Sequence, residues 1–232
     1  MANIAVVVPV HAAARRTAET IAARSPAGAV LGLIGLGLSV VLMSSLHIVA
    51  SGQVNPISTT LSDYVYARGA EWMFGASVVC MAIGGAGAFA GLTRAHLLPG
   101  MPARVVLVTA LVGLLLVALF PTDRGVAVVS LSAQIHRYSA AVVFVCVPIV
   151  GLLVAAHADR WTHLAACGRW LRRSAFVTAA VLAVVLITSL RVMPDAVLEM
   201  RGLVQRVMFL LEVSVLAQLV YLPVRQVALS DG

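Results

Sequence analysis

Residues 119–140 read LFPTDRGVAVVSLSAQIHRYSA and place Asp123, Arg124, His136 and Arg137 between two apolar runs. Before them stands RVVLVTALVGLLLVALF, residues 104–120, with no charge after its first residue. After them AAVVFVCVPIVGLLVAAH, residues 140–157, carries no charge before its terminal histidine. A soluble hairpin would bury one stripe of each helix and leave the other polar. Here every face is apolar, so both runs read as membrane helices and the quoted stretch as the turn joining them.

The rest of the chain repeats the pattern. Of 232 residues 61% are hydrophobic and 11% charged, and the mean hydropathy is +1.03. Soluble domains are about half apolar and a quarter charged. Six segments qualify as spans: 27–50, 71–93, 104–120, 136–157, 172–191 and 203–222. The expected fold is therefore all-α, a polytopic six-transmembrane-helix bundle. Residues 1–26 form a cytoplasmic N-terminal tail, residues 27–225 the transmembrane domain and residues 226–232 a C-terminal tail.

Arginine placement sets the orientation. All 16 basic residues are Arg, against 9 acids, a net charge of +7. The N-terminal tail, second and fourth connections and C-terminus hold ten arginines, the other connections and their flanks six. Both termini are thus expected in the cytoplasm, in a multi-pass protein of the cell membrane. The lipid bilayer is the partner this charge serves. No basic, aromatic-studded domain offers a nucleic-acid surface, and oligomeric state leaves no sequence signal. Cys80, Cys146 and Cys167 have neither disulfide nor CxxC spacing.

Function-capable residues gather on the outer side. His47 lies about one turn inside its helix, Asp63 and Tyr64 follow it, and Glu71 opens the next span. The candidate pocket is His47, Asp63, Asp123, His136, Arg137, Gln205, Arg206 and Glu212. Three stripes at helical spacing project these groups: Val40–Ser44–His47, His136–Ser139–Val143–Cys146, and Arg201–Gln205–Met208–Glu212. Glu212 is deepest. An acid at mid-span costs on the order of 3 kcal/mol on insertion scales, so it is expected to face the bundle or a wet cavity.

Three readings follow. In the first, the pocket binds or moves a lipid head group or small polar solute, arginines pairing with phosphate or carboxylate. In the second, the chain is a structural or regulatory membrane subunit with no ligand of its own. In the third, it is a metal-dependent intramembrane hydrolase or transferase, with His47, His136 and Asp63 as zinc ligands across helices. No HExxH spacing supports the third, so the balance leans away from an enzyme and no cofactor is expected.

Four segments carry a resemblance: TTLSDYVYARG after the first span, LFPTDRG after the third, IHRYSAAVVFVCVP opening the fourth and GLVQRVMFLLE opening the sixth. Their order and spacing resemble the domain-of-unknown-function 998 family of six-helix bacterial membrane proteins. The resemblance implies fold and membrane location. It implies no activity and no catalytic residue.

Overall fold

The computed structural model describes residues 27–123, 129–189 and 199–230, and the expected N-terminal tail, 1–26, lies outside them. The described chain is all-helical. Six long helices follow one another: α1 (Ala27–Val49), α2 (Glu71–Arg94), α3 (Gly100–Leu119), α4 (Leu131–Ala158), α5 (Ala165–Ser189) and α6 (Arg201–Ser230). Short 3-10 helices, Leu61–Tyr66 and Thr162–Leu164, sit in the first and fourth connections.

Among the described residues five helices are long and apolar enough to cross a membrane: α1, α2, α3, α4 and the Arg201–Gln226 part of α6. These are the helices of a multi-pass membrane protein. A helix satisfies its backbone hydrogen bonds internally, as a bilayer requires, with Pro148 of α4 and Pro223 of α6 each interrupting that ladder. Large apolar side chains such as Leu31, Ile34, Val41, Val112 and Phe176 point outward. Such surface needs lipid to cover it.

Several helices outrun the segments read from hydropathy. α3 begins at Gly100 rather than 104, α4 at Leu131 rather than 136, and α5 at Ala165 rather than 172. α6 runs to Ser230, so most of the expected C-terminal tail is helical. Hydropathy marks where a helix is apolar, whereas capping marks where it begins. Ser130 shows the difference: its hydroxyl oxygen accepts from the Ala133 amide at 3.1 Å, starting α4 a turn and a half before the apolar run.

α6 packs against α1, α2, α4 and α5, and successive helices pack on one another around it. The tightest seam is α1 on α2, where glycine brings backbones together. A Cβ on Gly35 would stand 2.7 Å from the Cys80 carbonyl oxygen, and one on Gly87 2.6 Å from the Gly28 carbonyl oxygen. Further along the seam the buried Ser39 and Ser77 hydroxyls meet at 3.1 Å, and Ser77 Oγ donates to the Ser39 carbonyl at 2.8 Å.

Candidate functional site

The 51–70 connection, the 3-10 helix within it and Asp123 gather at one end of the bundle, the site end. Thr60 and Asp63 close a capping box on the 3-10 helix, the Thr60 amide and hydroxyl donating to Asp63 Oδ2 at 3.0 and 2.6 Å. Tyr64, 1% exposed, is the largest fully buried side chain. Tyr66 donates its hydroxyl to the Thr122 carbonyl, tying the first connection to the third.

Arg206 is the hub of this end. Its Nε donates to His47 Nε2 at 2.6 Å. Its Nη1 donates to the carbonyls of Thr59 and Gly202, each at 2.8 Å, and its Nη2 to the Tyr64 hydroxyl at 3.0 Å. The guanidinium also lies 5.3 Å from the Tyr64 ring centroid. Arg can only donate, so His47 Nε2 accepts, and His47 Nδ1 carries the proton it gives to the Met43 carbonyl at 2.6 Å. His47 and Arg206 are therefore committed to each other and to the connection between α1 and α2.

The remaining six candidate residues stand together. A cavity of about 640 Å³ opens among the helices of this end, and Asp63, Asp123, His136, Arg137, Gln205 and Glu212 all line it. His47 and Arg206 do not line it. Its apolar walls, Met43, Met81, Phe144 and Phe209 among them, are not legible in the sequence. In a chain this rich in such residues, a cavity wall and a packed core carry the same signal.

Most polar groups near the mouth also hold the scaffold. Asp123 accepts from the Ser130 amide at 2.6 Å and hydroxyl at 2.8 Å. Those two bonds hold its carboxyl below the usual aspartate range, with Arg137 adding a weaker attraction. Gln205 Oε1 accepts from the Leu61 amide at 3.2 Å, and Arg201 Nε donates to the Ser58 carbonyl at 3.0 Å. His136 Nδ1 lies 2.7 Å from the Phe120 carbonyl oxygen and donates to it. His136 also lines a second cavity of about 230 Å³, bounded by Glu71, Trp72 and Thr122, and so stands between the two.

Glu212 differs from all of these. It is 0% exposed, and among the described residues neither carboxyl oxygen has a hydrogen-bond partner. It sits eleven residues into α6, roughly 16 Å along the axis from Arg201. The stripe it ends is buried at Met208, and the α4 stripe is buried at His136, Ser139 and Val143. On α1 the inward face is Leu36, Ser39, Met43 and Leu46, whereas Ser44 of the expected stripe is exposed.

The zinc ligand set expected from His47, His136 and Asp63 does not assemble. His47 has both ring nitrogens engaged. Among the described residues no three His, Cys, Asp or Glu side chains are grouped to hold a metal ion.

The four sequence motifs converge on this end. TTLSDYVYARG supplies the capping box and Tyr64, LFPTDRG supplies the carbonyls of Phe120 and Thr122 and the carboxyl of Asp123, and the openings of α4 and α6 supply the facing walls. Neither a curated protein nor a solved structure matches the chain. A family model described as "Protein of unknown function (DUF998)" matches residues 33–221, from within α1 to within α6. That match covers most of the chain and all four motifs, and the chain belongs to the DUF998 family.

Proposed function

We propose that this is a six-span protein of the cytoplasmic membrane, both termini in the cytoplasm, whose cavity binds or moves a lipid head group or small polar solute. The arginine balance puts the site end outside. α5 completes the six spans as the fifth in order: its apolar part follows Arg169, Arg172 and Arg173, which sit at the cytoplasmic boundary in this arrangement.

One observation carries the binding role. A cavity of about 640 Å³ has polar side chains from the first connection, the third connection, α4 and α6 in its walls. That size lies within the roughly 300–1,000 Å³ typical of ligand sites. A purely structural subunit has no need to gather polar side chains of four elements around such a space. The arrangement therefore favours a ligand over the subunit reading.

The test is native mass spectrometry of the chain purified in mild detergent. A bound molecule is expected, and Ala140→Phe, which places a ring where Ala140 lines the cavity, should remove it. A chain that carries nothing from several lipid compositions, or whose bound molecules are indifferent to Ala140→Phe, overturns the proposal.

A further inference from the structure

We infer that the occupant of this cavity is a lipophilic cation, an ammonium or similar organic cation on an apolar frame, which reaches Glu212 from the bilayer between α4 and α5. The inference rests on the binding role proposed above and names the chemistry of the ligand.

The first ground is how polar groups are distributed with depth. Near the mouth both signs are present, and Asp63, Asp123, Gln205 and Arg201 each hold backbone or side-chain partners of the scaffold. Deeper, the walls are Met43, Met81, Phe144, Leu182 and Phe209, and the one ionisable lining side chain among them is Glu212. No described residue donates to either of its oxygens. Arg206, six residues away on the same helix, is spent on His47, Thr59, Gly202 and Tyr64.

The second ground is sign. A neutral apolar ligand would leave the carboxyl unpaired, and an anion would oppose its ionisation. A cation pairs with it where little water screens the attraction. The aromatic rings of Phe144 and Phe209 in the wall offer a cation further attraction, and the thioethers of Met43 and Met81 adapt to an irregular apolar frame. Glu212 itself is covered, so pairing requires its neighbours to part by a side-chain movement.

The third ground is the route. α5 presents a buried stripe, Leu164 leading into Gly168, Leu171, Ala175, Thr178 and Leu182. The next position on that stripe, Leu186, lines the cavity and is nevertheless 48% exposed. On α4, Tyr138 lines the same cavity and is 68% exposed, with exposed Ala141 beside it. Tyr138 is seven residues into α4, about 10 Å along its axis and two residues inside the span expected from His136. At the opposite end the two helices close, a Cβ on Gly151 standing 3.1 Å from that of Ala175. The cavity thus reaches the lipid-facing surface, which suits a molecule that partitions into the bilayer.

Two sources share this chemistry, an amine carried by a membrane lipid and a lipophilic cation taken up from water. The experiment uses the full chain in phosphatidylcholine nanodiscs with tetraphenylphosphonium and tetraphenylborate, which share a shape and differ in sign. Saturable binding of tetraphenylphosphonium is expected, with none for tetraphenylborate, and Glu212→Gln should weaken the cation about tenfold or more. Equal binding of both ions, or an unchanged affinity in Glu212→Gln, overturns the inference.

Should Glu212→Gln fail to fold, the wild-type chain supplies the test through dicyclohexylcarbodiimide. The carboxylic acid adds across one C=N bond and the acyl group then migrates to nitrogen, giving an N-acylurea with no group lost. Tetraphenylphosphonium should slow labelling of the Glu212 peptide several-fold, and absence of protection overturns the inference. Displacement of the probe by octadecylamine in the disc identifies a membrane amine. Displacement by rhodamine 6G from water, without octadecylamine, identifies a water-borne cation, and displacement by neither overturns the inference. If the cation fails while a molecule removed by Ala140→Phe remains, the cation assignment falls and the binding role stands.

Discussion

Arg206 shows at the scale of one residue why an arginine in a membrane helix need not mark a binding site. Four of its five N–H directions are fixed by His47, Thr59, Gly202 and Tyr64, which lie on α1, on the first connection and on its own helix. Lysine cannot reproduce that fork. Arg206→Lys is expected to cost on the order of 3 kcal/mol, the loss of charge-assisted bonds plus orphaned acceptors, read as a fall in thermal midpoint in detergent. Hydrogen exchange should rise first at Leu61 and its neighbours. Asp123 works at the same scale through pH. Bonds from Ser130 depress its folded pKa, so their contribution is present above the ordinary value of 3.8 and is lost as pH falls through the lower folded value. Ser130 passes the effect on, donating to Asp123 while accepting from the Ala133 amide. Protection factors at the start of α4, corrected for the intrinsic exchange rate at each pH, are expected to fall in acid, and Asp123→Asn should flatten that dependence.

At the scale of elements, two glycines on α1 separate packing from propensity. Gly35 faces α2, where a Cβ would lie 2.7 Å from the Cys80 carbonyl oxygen and 2.9 Å from the Gly84 nitrogen. Gly37 faces away, with nothing within 4 Å. Gly35→Ala is expected to force the helices apart and cost about 1–3 kcal/mol. Gly37→Ala should be neutral or gain up to about 1 kcal/mol from propensity. Thermal midpoints of both variants in one detergent check this, and equal midpoints would sink the account of the seam. Gly202 plays the same part where α6 meets the first connection. A Cβ there would collide with the Thr59 carbonyl oxygen, and next to it the Leu203 amide donates to the Ile57 carbonyl at 3.0 Å.

For the whole molecule the decisive quantity is orientation, because it decides which compartment the mouth of the cavity faces. Alkaline phosphatase fused after Val129 is expected to be active and after His163 inactive. The reverse pattern would place Asp63, Asp123 and Arg137 against the cytoplasm and remove the proposed outer site. The end away from the site carries a polar boundary of its own: Asp159 pairs with Arg172, and Arg173 lies 5.6 Å from the Trp170 ring centroid.

The sequence by itself determined the all-helical, multi-pass class and the family, because transfer free energy is additive along the chain and short motifs are local. It also picked out Glu212, since a lone acid inside an apolar run is visible without coordinates. What only the tertiary structure decided is how the polar residues divide. His47 and Arg206 sit at the right depth and on plausible faces, yet they bond to each other, while Asp63, Asp123, His136, Arg137, Gln205 and Glu212 line one cavity. Helix rotation, the path of the 3-10 segment and the separation of α4 from α5 set that division. Each depends on contacts between residues distant in sequence, such as Gln205 with Leu61, and helical periodicity carries no record of them.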